Sequence, residues 1–252
     1  MRKIKIILFS IFISVYSYGY FVKDAKAELD SMIREADAVC LSEDIVMTII
    51  DENEAEYEYN TEILIKNKDA EYHCEVSLIE SEFVEIDEIQ ASIYDTTGNF
   101  IKELDEDNIK ESEQAKGFIF YDGEKRKSFS LTHNKYPYIL KYRYKNLTES
   151  LYFWNDWYPQ DNIPVLSASY KLVLKKPVKF KYKQIGIEIT PEKFAEGKDS
   201  VYLWTLKNIP NMRIEDYMPA EFSKQKVIMF TAENFKVKEY PGSFTLKFSA
   251  EN

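Results

Sequence analysis

Hydrophobic and polar positions alternate with a period of two along most of this chain. The clearest run is the one in which Tyr57, Tyr59, Thr61, Ile63 and Ile65 are separated by mainly polar side chains. Alternation of this kind is typical of a β-strand that buries one face. Because short runs of the same type recur with turn residues between them, the sequence predicts an all-β fold, a large antiparallel β-sandwich.

The turn residues predict how some of these strands connect. Residues 67–69 are a polar turn that is expected to join the run above to a partner strand over residues 70–79 as a hairpin. Residues 95–99 supply a second turn, in which Gly98 is free to adopt positive φ. The acidic segment 103–116 is expected to be a mobile connection. The other predicted strands cover residues 45–50, 85–94, 100–104, 117–121, 126–132, 137–145, 165–175, 178–184, 185–190, 200–206, 226–231 and 243–248.

The first residues of the chain have the three parts of a secretion signal. Basic residues precede an apolar segment of about ten residues, and the small residues Ser17 and Gly19 occupy the positions that precede a cleavage site. A membrane anchor is the alternative, but a span needs about 20 apolar residues. We therefore expect a signal peptide over residues 1–19, export to the periplasm or out of the cell, and no stable membrane span after cleavage.

Only the segment before residue 38 shows a helical pattern. Leu29, Met32 and Ile33 are spaced to form one apolar face, which predicts a short helix over residues 25–36. The expected boundaries are a lead-in helix at 20–37, a β-sandwich domain at 38–235 and a C-terminal tail or truncated linker at 236–252.

The composition argues against one class of partner and does not decide whether the two cysteines form a disulfide. The formal net charge is −10, and an acidic surface repels phosphate backbones, which argues against nucleic acid as a partner. The two cysteines, Cys40 and Cys74, both lie in apolar runs that resemble strands. An exported protein can form a disulfide, while buried free thiols are also compatible with this pattern.

The residues that most often carry catalysis are scarce or badly spaced. The only histidines are His73 and His133, and no spacing typical of a metal site occurs. His73 and Cys74 are adjacent in a predicted strand, so their side chains are expected to point to opposite faces. No nucleophile elbow or phosphate-binding glycine loop is present. We predict no enzymatic activity, no cofactor and no metal; a pair of carboxylates among the 43 acidic residues is the remaining catalytic alternative.

The densest aromatic segment, residues 152–158, has two interpretations. Its rings can plug the core of the sandwich, as large rings usually do. Alternatively, Trp154, Trp157 and Tyr158 form an exposed face that stacks on sugar rings, which would make the chain a carbohydrate-binding module. These three residues are the candidate ligand contacts.

Several segments together, in this order, resemble a known bacterial family. They are residues 36–39, 95–99, 136–144, 153–158, 164–165, 202–204, 208–210 and 215–219. The family they resemble is domain of unknown function 3857, an exported domain that precedes transglutaminase-like domains, and the resemblance covers residues 36–235. It implies a large β-sandwich with no catalytic residues of its own.

In that family a papain-like Cys-His-Asp domain usually follows. In this sequence, residues 245–252 stand where that domain would be expected to begin, and they are the last residues of the sequence. The implied catalytic residues therefore have no positions here, which is expected of a stand-alone module or of a truncated product. The resulting prediction is a non-catalytic exported module with a binding or accessory role, whose partner is a protein or a cell-surface polymer.

Overall fold

The computed structural model describes residues 29–113, 124–212 and 226–244. The chain divides into two units, residues 1–36 and residues 37–252. In the first unit, residues 29–35 form a helix, which agrees with the apolar spacing there. The predicted signal peptide and the start of the predicted helix lie outside the described residues.

The described residues of the second unit form β-strands, as the alternating pattern predicts, and three short 3-10 helices. The 3-10 helices cover Lys68–Cys74, Glu106–Asn108 and Leu151–Phe153. The strands are β1 (Ala38–Ile49), β2 (Ala55–Ile65), β3 (Glu75–Glu80), β4 (Val84–Asp95), β5 (Phe100–Glu103), β6 (Lys110–Glu113), β7 (Lys125–Ser130), β8 (Tyr138–Thr148), β9 (Val165–Leu174), β10 (Phe180–Ile185), β11 (Glu192–Glu196), β12 (Asp199–Ile209), β13 (Val227–Ala232), β14 (Asn234–Val237) and β15 (Tyr240–Ser243).

Eight of these strands form one main sheet in the order β11-β12-β9-β1-β2-β8-β4-β5. Its neighbouring strands are antiparallel except for β1 and β9, which run parallel, so the predicted all-antiparallel pairing is wrong at this one position. Every second residue of β2, from Ala55 to Ile65, faces the inner side of this sheet. The other face carries cross-strand ion pairs such as Lys141 with Glu62, which is the polar side that the alternation predicts.

Smaller sheets form a second layer over the inner face of the main sheet. The sheet β3-β7-β6 places Phe129 against Tyr142 of β8, and the pair β10-β13 places Phe230 against Tyr170 of β9. The apolar core lies between these layers. The protein is therefore an all-β, sandwich-like fold, as the sequence predicts.

The predicted hairpin between β2 and residues 70–79 is wrong. Asn67 accepts a hydrogen bond from the backbone N–H of Asp69, at 2.9 Å, and this cap starts a 3-10 helix instead of a tight turn. β2 has no free edge, since β1 and β8 pair with it on either side. The strand that follows, β3, pairs instead with β7.

Several smaller expectations can also be compared with the structure. The turn at residues 95–99 is confirmed, with Gly98 at a φ of 90°. The predicted connection at 103–116 contains strand β6, and residues 186–190 are not a strand. The predicted strand at 117–121 and most of the one at 243–248 lie outside the described residues. Strand β11 is not predicted from the sequence because all five of its residues are exposed, so apolar and polar residues do not alternate along it.

Candidate functional site

A cleft opens on the inner face of the main sheet, where the 3-10 helix at Lys68–Cys74 and strand β3 cover β1, β2 and β8. We call it the Glu43 cleft, after the carboxylate on its floor. Its volume is about 400 Å³, within the range of small-ligand sites. Its lining combines acidic, aromatic and thiol side chains, among them Cys40, Glu43, Tyr59, Thr61, His73, Tyr142, Tyr144 and Asp161.

A β-bulge in β1 places Glu43 inside the cleft. Cys40 pairs with Ile63 and Ser42 pairs with Glu62, so Leu41 is an extra residue with no partner. An extra residue exchanges the two faces of a strand. The bulge therefore lets Cys40 and Glu43, three residues apart, both line the cleft, whereas regular alternation would place them on opposite faces of the strand.

Two hydrogen-bond donors hold the Glu43 carboxylate in position. The Tyr59 hydroxyl donates to Oε2 at 3.1 Å, and the indole N–H of Trp157 donates to Oε1 at 3.2 Å. Burial raises the pKa of the Glu43 carboxyl; the two donors oppose this, and the negative charges of Asp161 and Asp44 add to it. Glu43 is thus a desolvated acid in a negative environment, which is a recognised sign of a functional position.

Three tyrosines form the aromatic wall of the cleft. The rings of Tyr59 and Tyr144 are stacked with centroids 5.2 Å apart, and Tyr59 and Tyr142 are 5.8 Å apart. Tyr59 pairs with Tyr144 in the register of β2 and β8, so the wall follows from the strand alignment. Burial raises the pKa of the Tyr144 hydroxyl to about 12, which keeps this group neutral at ordinary pH.

His73 and Asp161 complete the polar lining. His73 lies in the 3-10 helix and not in a strand, so the prediction that it and Cys74 alternate across a strand is wrong. Its ring contacts Tyr72, with centroids 4.0 Å apart, and its buried Nε2 atom has no hydrogen-bond partner. Burial lowers the pKa of His73 while the charge of Asp161 opposes that shift, so the imidazole is neutral and can accept a hydrogen bond.

The two cysteines are free thiols and do not form a disulfide. Burial raises the pKa of Cys40 to about 12, and its sulfur contacts the backbone oxygen of Ser42 at 3.4 Å and Oγ1 of Thr61 at 3.6 Å. Burial also raises the pKa of Cys74, whose sulfur lies 3.3 Å from the hydroxyl of Tyr138. Both groups are therefore protonated and behave as core side chains.

The three residues predicted as ligand contacts do not form an exposed stacking face. Trp154 and Trp157 are buried, at 7% and 1% exposure, whereas Tyr158 is 50% exposed. The indole N–H of Trp154 donates a hydrogen bond to the hydroxyl oxygen of Tyr170, at 2.9 Å. The two tryptophans of this segment therefore fit the interpretation in which its rings fill the core. A ligand contact at Tyr158 alone stays a prediction. Trp157 reaches the Glu43 cleft only from behind, through its hydrogen bond to the carboxylate.

Sequence reasoning missed the cleft, although one signal for it was present. Glu43 precedes Ile45, Met47 and Ile49 at intervals of two, so it continues an apolar face that is otherwise buried. A charged residue in such a position is unusual enough to mark a functional group. This signal is hard to recognise without knowing the position of the bulge, because Glu43 and Cys40 are three residues apart and regular alternation would place them on opposite faces.

Two further findings concern only the described ranges. Residues 29–113, 124–212 and 226–244 contain no helix with the length and apolar character needed to cross a bilayer. The same ranges contain no group of three or more His, Cys, Asp or Glu side chains arranged to hold a metal ion.

Comparison with solved structures shows where this fold recurs. A protein from Parabacteroides distasonis described as a "putative protease" matches 77% of this chain with a TM-score of 0.68 and 15% sequence identity. This chain spans 40% of the length of that protein. An M1 zinc metallopeptidase from Deinococcus radiodurans also matches 77% of the chain, with a TM-score of 0.36 and 7% identity, which is too distant to carry an argument. No curated protein matches the sequence.

Comparison with protein families gives a direct assignment. The profile of a Domain of Unknown Function, DUF3857, matches residues 51–213, which is more than half of the chain. The match includes the cleft residues of β2, of β8 and of the 3-10 helix at Lys68–Cys74, while β1 with Glu43 lies before it. Together, the all-β fold and this match show that the chain belongs to the DUF3857 family.

Proposed function

We propose that this chain is a binding and accessory domain that carries no catalytic centre of its own. The Glu43 cleft is its binding site, and the domain serves a hydrolase or acyltransferase of the transglutaminase-like or protease type. The observation that carries this proposal is the protonation state of the cleft. Burial raises the pKa of its thiol, Cys40, to about 12, and the buried Nε2 atom of its histidine, His73, has no hydrogen-bond partner.

These states favour binding over covalent catalysis. A cysteine nucleophile needs an ionised thiol beside a base or a helix N-terminus. The sulfur of Cys40 contacts Thr61 and a backbone oxygen, and the sulfur of Cys74 contacts the hydroxyl of Tyr138. Two donors engage the Glu43 carboxylate, one on each oxygen, and this holds it in position within the cleft.

The family and the structural match support the accessory role. The Parabacteroides protein is described as a "putative protease" and is much longer than this chain, which matches 40% of it. Together with the resemblance to domains that precede transglutaminase-like domains, this favours a β-domain that works beside a separate catalytic domain. Its partner is then a protein or a cell-surface polymer that the catalytic domain processes.

A turnover assay tests the absence of a catalytic centre. The purified protein is incubated with panels of peptide, ester and amine acyl-acceptor substrates, and we expect no hydrolysis or acyl transfer above the buffer rate. The matched controls are Cys40→Ala and Cys74→Ala, which remove each thiol from the described core. Turnover that co-purifies with the protein, whether or not it survives these substitutions, would show that the domain is an enzyme.

We also propose that the protein is exported and that residues 1–19 are removed. Support comes from the basic, apolar and small-residue segments at the start of the chain. Expression in a bacterial host, followed by fractionation and intact-mass measurement, tests this. A product that starts at Tyr20 outside the cytoplasm is expected, whereas an uncleaved product in the cytoplasmic fraction contradicts export.

A further inference from the structure

We propose that the Glu43 cleft binds a primary alkylammonium group. The inference rests on the proposed binding role and adds the chemical class of the ligand. It follows from three properties of the cleft: its uncompensated negative charge, its free hydrogen-bond acceptors and its aromatic wall. Each property is set by residues that the fold holds in fixed positions.

The charge of the cleft has no internal counter-charge. Glu43 and Asp161 both line it, and neither takes part in any of the ion pairs formed among the described residues. On the outer face of the same sheet, by contrast, Glu62 pairs with Lys141 at 2.6 Å. A buried carboxylate without a cation is costly, and a bound cation would remove that cost. The cleft is therefore prepared for a positively charged group.

The acceptors in the cleft match the donors of an ammonium group. Glu43 has two hydrogen bonds, one on each carboxylate oxygen, which leaves further lone pairs on both atoms. The buried Nε2 of His73 has no partner, and Asp161 is exposed at the cleft margin. A primary ammonium group has three N–H donors and no acceptor, so it can satisfy a carboxylate and a neutral imidazole at the same time.

The wall and the size of the cleft suit an alkylammonium ion. The stacked rings of Tyr59 and Tyr144 and the neighbouring ring of Tyr142 line the cleft, and aromatic rings attract cations. A volume of about 400 Å³ accommodates a short alkyl chain behind the charged group. A quaternary ammonium would gain from the rings but could not donate to Glu43 or His73, so a primary ammonium is favoured.

Titration with n-butylammonium chloride, followed by NMR of the isotope-labelled protein, tests the inference. We expect saturable shifts in the resonances of the cleft residues, and no saturable shift with n-butanol, which has the same shape without charge. Glu43→Gln is expected to weaken binding about tenfold or more, because hydrogen bonds to charged groups contribute about 1.5–3 kcal/mol. Glu62→Gln, which removes a carboxylate from the outer face, is the matched control and should leave the affinity unchanged.

A second variant and a further ligand keep the test decisive. Asp161 is exposed, so Asp161→Asn does not threaten folding, and it should weaken binding several-fold even if Glu43→Gln fails to fold. Blocked lysine, Nα-acetyl-lysine amide, presents the same group on a peptide backbone: tighter binding than n-butylammonium indicates a polypeptide source, and weaker binding indicates a free amine.

Three results would overturn the inference. They are equal binding of n-butanol and n-butylammonium, unchanged affinity in both variants, and tighter binding of n-butylguanidinium than of n-butylammonium. In each of these cases a ligand still occupies the cleft, so the ligand class fails while the proposed binding role stands. If none of the four ligands shifts any cleft resonance, the ammonium inference fails, and the turnover assay above then decides the proposed function separately.

Discussion

The inner face of the main sheet carries aromatic side chains in both of its halves, but the two halves differ in how they are filled. Tyr170 of β9 and Trp204 of β12 pack against each other and against Phe230 of β13, with ring centroids 4.6 to 6.0 Å apart, and all three are almost completely buried. We call these three residues the packed half. Along β2 and β8, tyrosines pair at similar distances, yet a cleft of about 400 Å³ remains.

The difference lies in the polar residues and in the covering layer. In the packed half, Phe230 of β13 contacts both Tyr170 and Trp204. In the cleft, the sheet presents Glu43 and Thr61 where apolar residues would otherwise continue the core. Aromatic content alone therefore does not separate a core from a binding site; the polar side chains among the rings of the cleft do.

The largest expected effect is in the packed half. Phe230→Ala removes a ring that stacks on Tyr170 at 4.6 Å, and we expect it to lower the free energy of unfolding by about 3–5 kcal/mol. The matched change in the cleft is Tyr144→Ala, which should cost only about 1–2 kcal/mol because its ring already borders open space. Chemical denaturation measures both, and equal costs would contradict the division into two halves.

The next effect compares two indole hydrogen bonds in the same segment. Trp157→Phe removes a donor to the Glu43 carboxylate, and Trp154→Phe removes a donor to the neutral hydroxyl of Tyr170. Donors to charged groups contribute about 1.5–3 kcal/mol and donors to neutral groups about 0.5–1.5 kcal/mol. We therefore expect Trp157→Phe to be the more destabilising. Both variants lose similar volume, so each serves as the other's control in thermal or chemical unfolding.

A smaller effect concerns the pH dependence of stability. The pKa of Glu43 is raised by burial, so the folded protein holds this proton more tightly than the unfolded chain does. Between the ordinary glutamate pKa and the raised value, the folded state binds more protons, and stability falls as the pH rises through that interval. Above that interval Glu43 is ionised in the folded protein, and the full cost of burying its charge lowers the free energy of unfolding.

Glu43→Gln removes that pH-dependent cost. The free energy of unfolding of this variant relative to the wild type should therefore rise as the pH increases from the ordinary glutamate pKa, about 4.3, through the raised pKa of Glu43. A constant difference between Glu43→Gln and the wild type across this range would show that Glu43 titrates normally.

The smallest expected effect concerns the reactivity of the two thiols, which should not react with a thiol reagent in the native protein. Burial raises the pKa of both Cys40 and Cys74, so neither thiolate is populated at about pH 8. We expect no reaction with a thiol-specific chromogenic reagent in native buffer and reaction of both cysteines after unfolding in guanidinium chloride. A fast-reacting cysteine in the folded protein would indicate that the cleft holds an activated nucleophile.

Much of the fold follows from local alternation, and the exceptions have identifiable causes. β2 and β4 were predictable because each buries one face over eleven or twelve residues. The segment at Lys68–Cys74 was not, since the Asn67 cap overrides the extended pattern. The parallel pairing of β1 with β9 links positions more than a hundred residues apart, which no local pattern encodes.

The candidate site depended on one residue of register. Without the extra Leu41 in β1, Cys40 and Glu43 would lie on opposite faces of the strand, and only one of them could line the cleft. The two tryptophans failed as ligand contacts for a related reason: the sequence shows that rings are present but not which layer covers them. Trp154 and Trp157 are covered by the core, as their low exposure shows.

The most direct test of the central claim is a crystal structure of the protein grown with n-butylammonium chloride. We expect ligand density in the Glu43 cleft, with the nitrogen within hydrogen-bond distance of the Glu43 carboxylate and its alkyl chain against Tyr59 and Tyr144. A cleft filled by protein side chains, or ligand bound only elsewhere on the acidic surface, would contradict it.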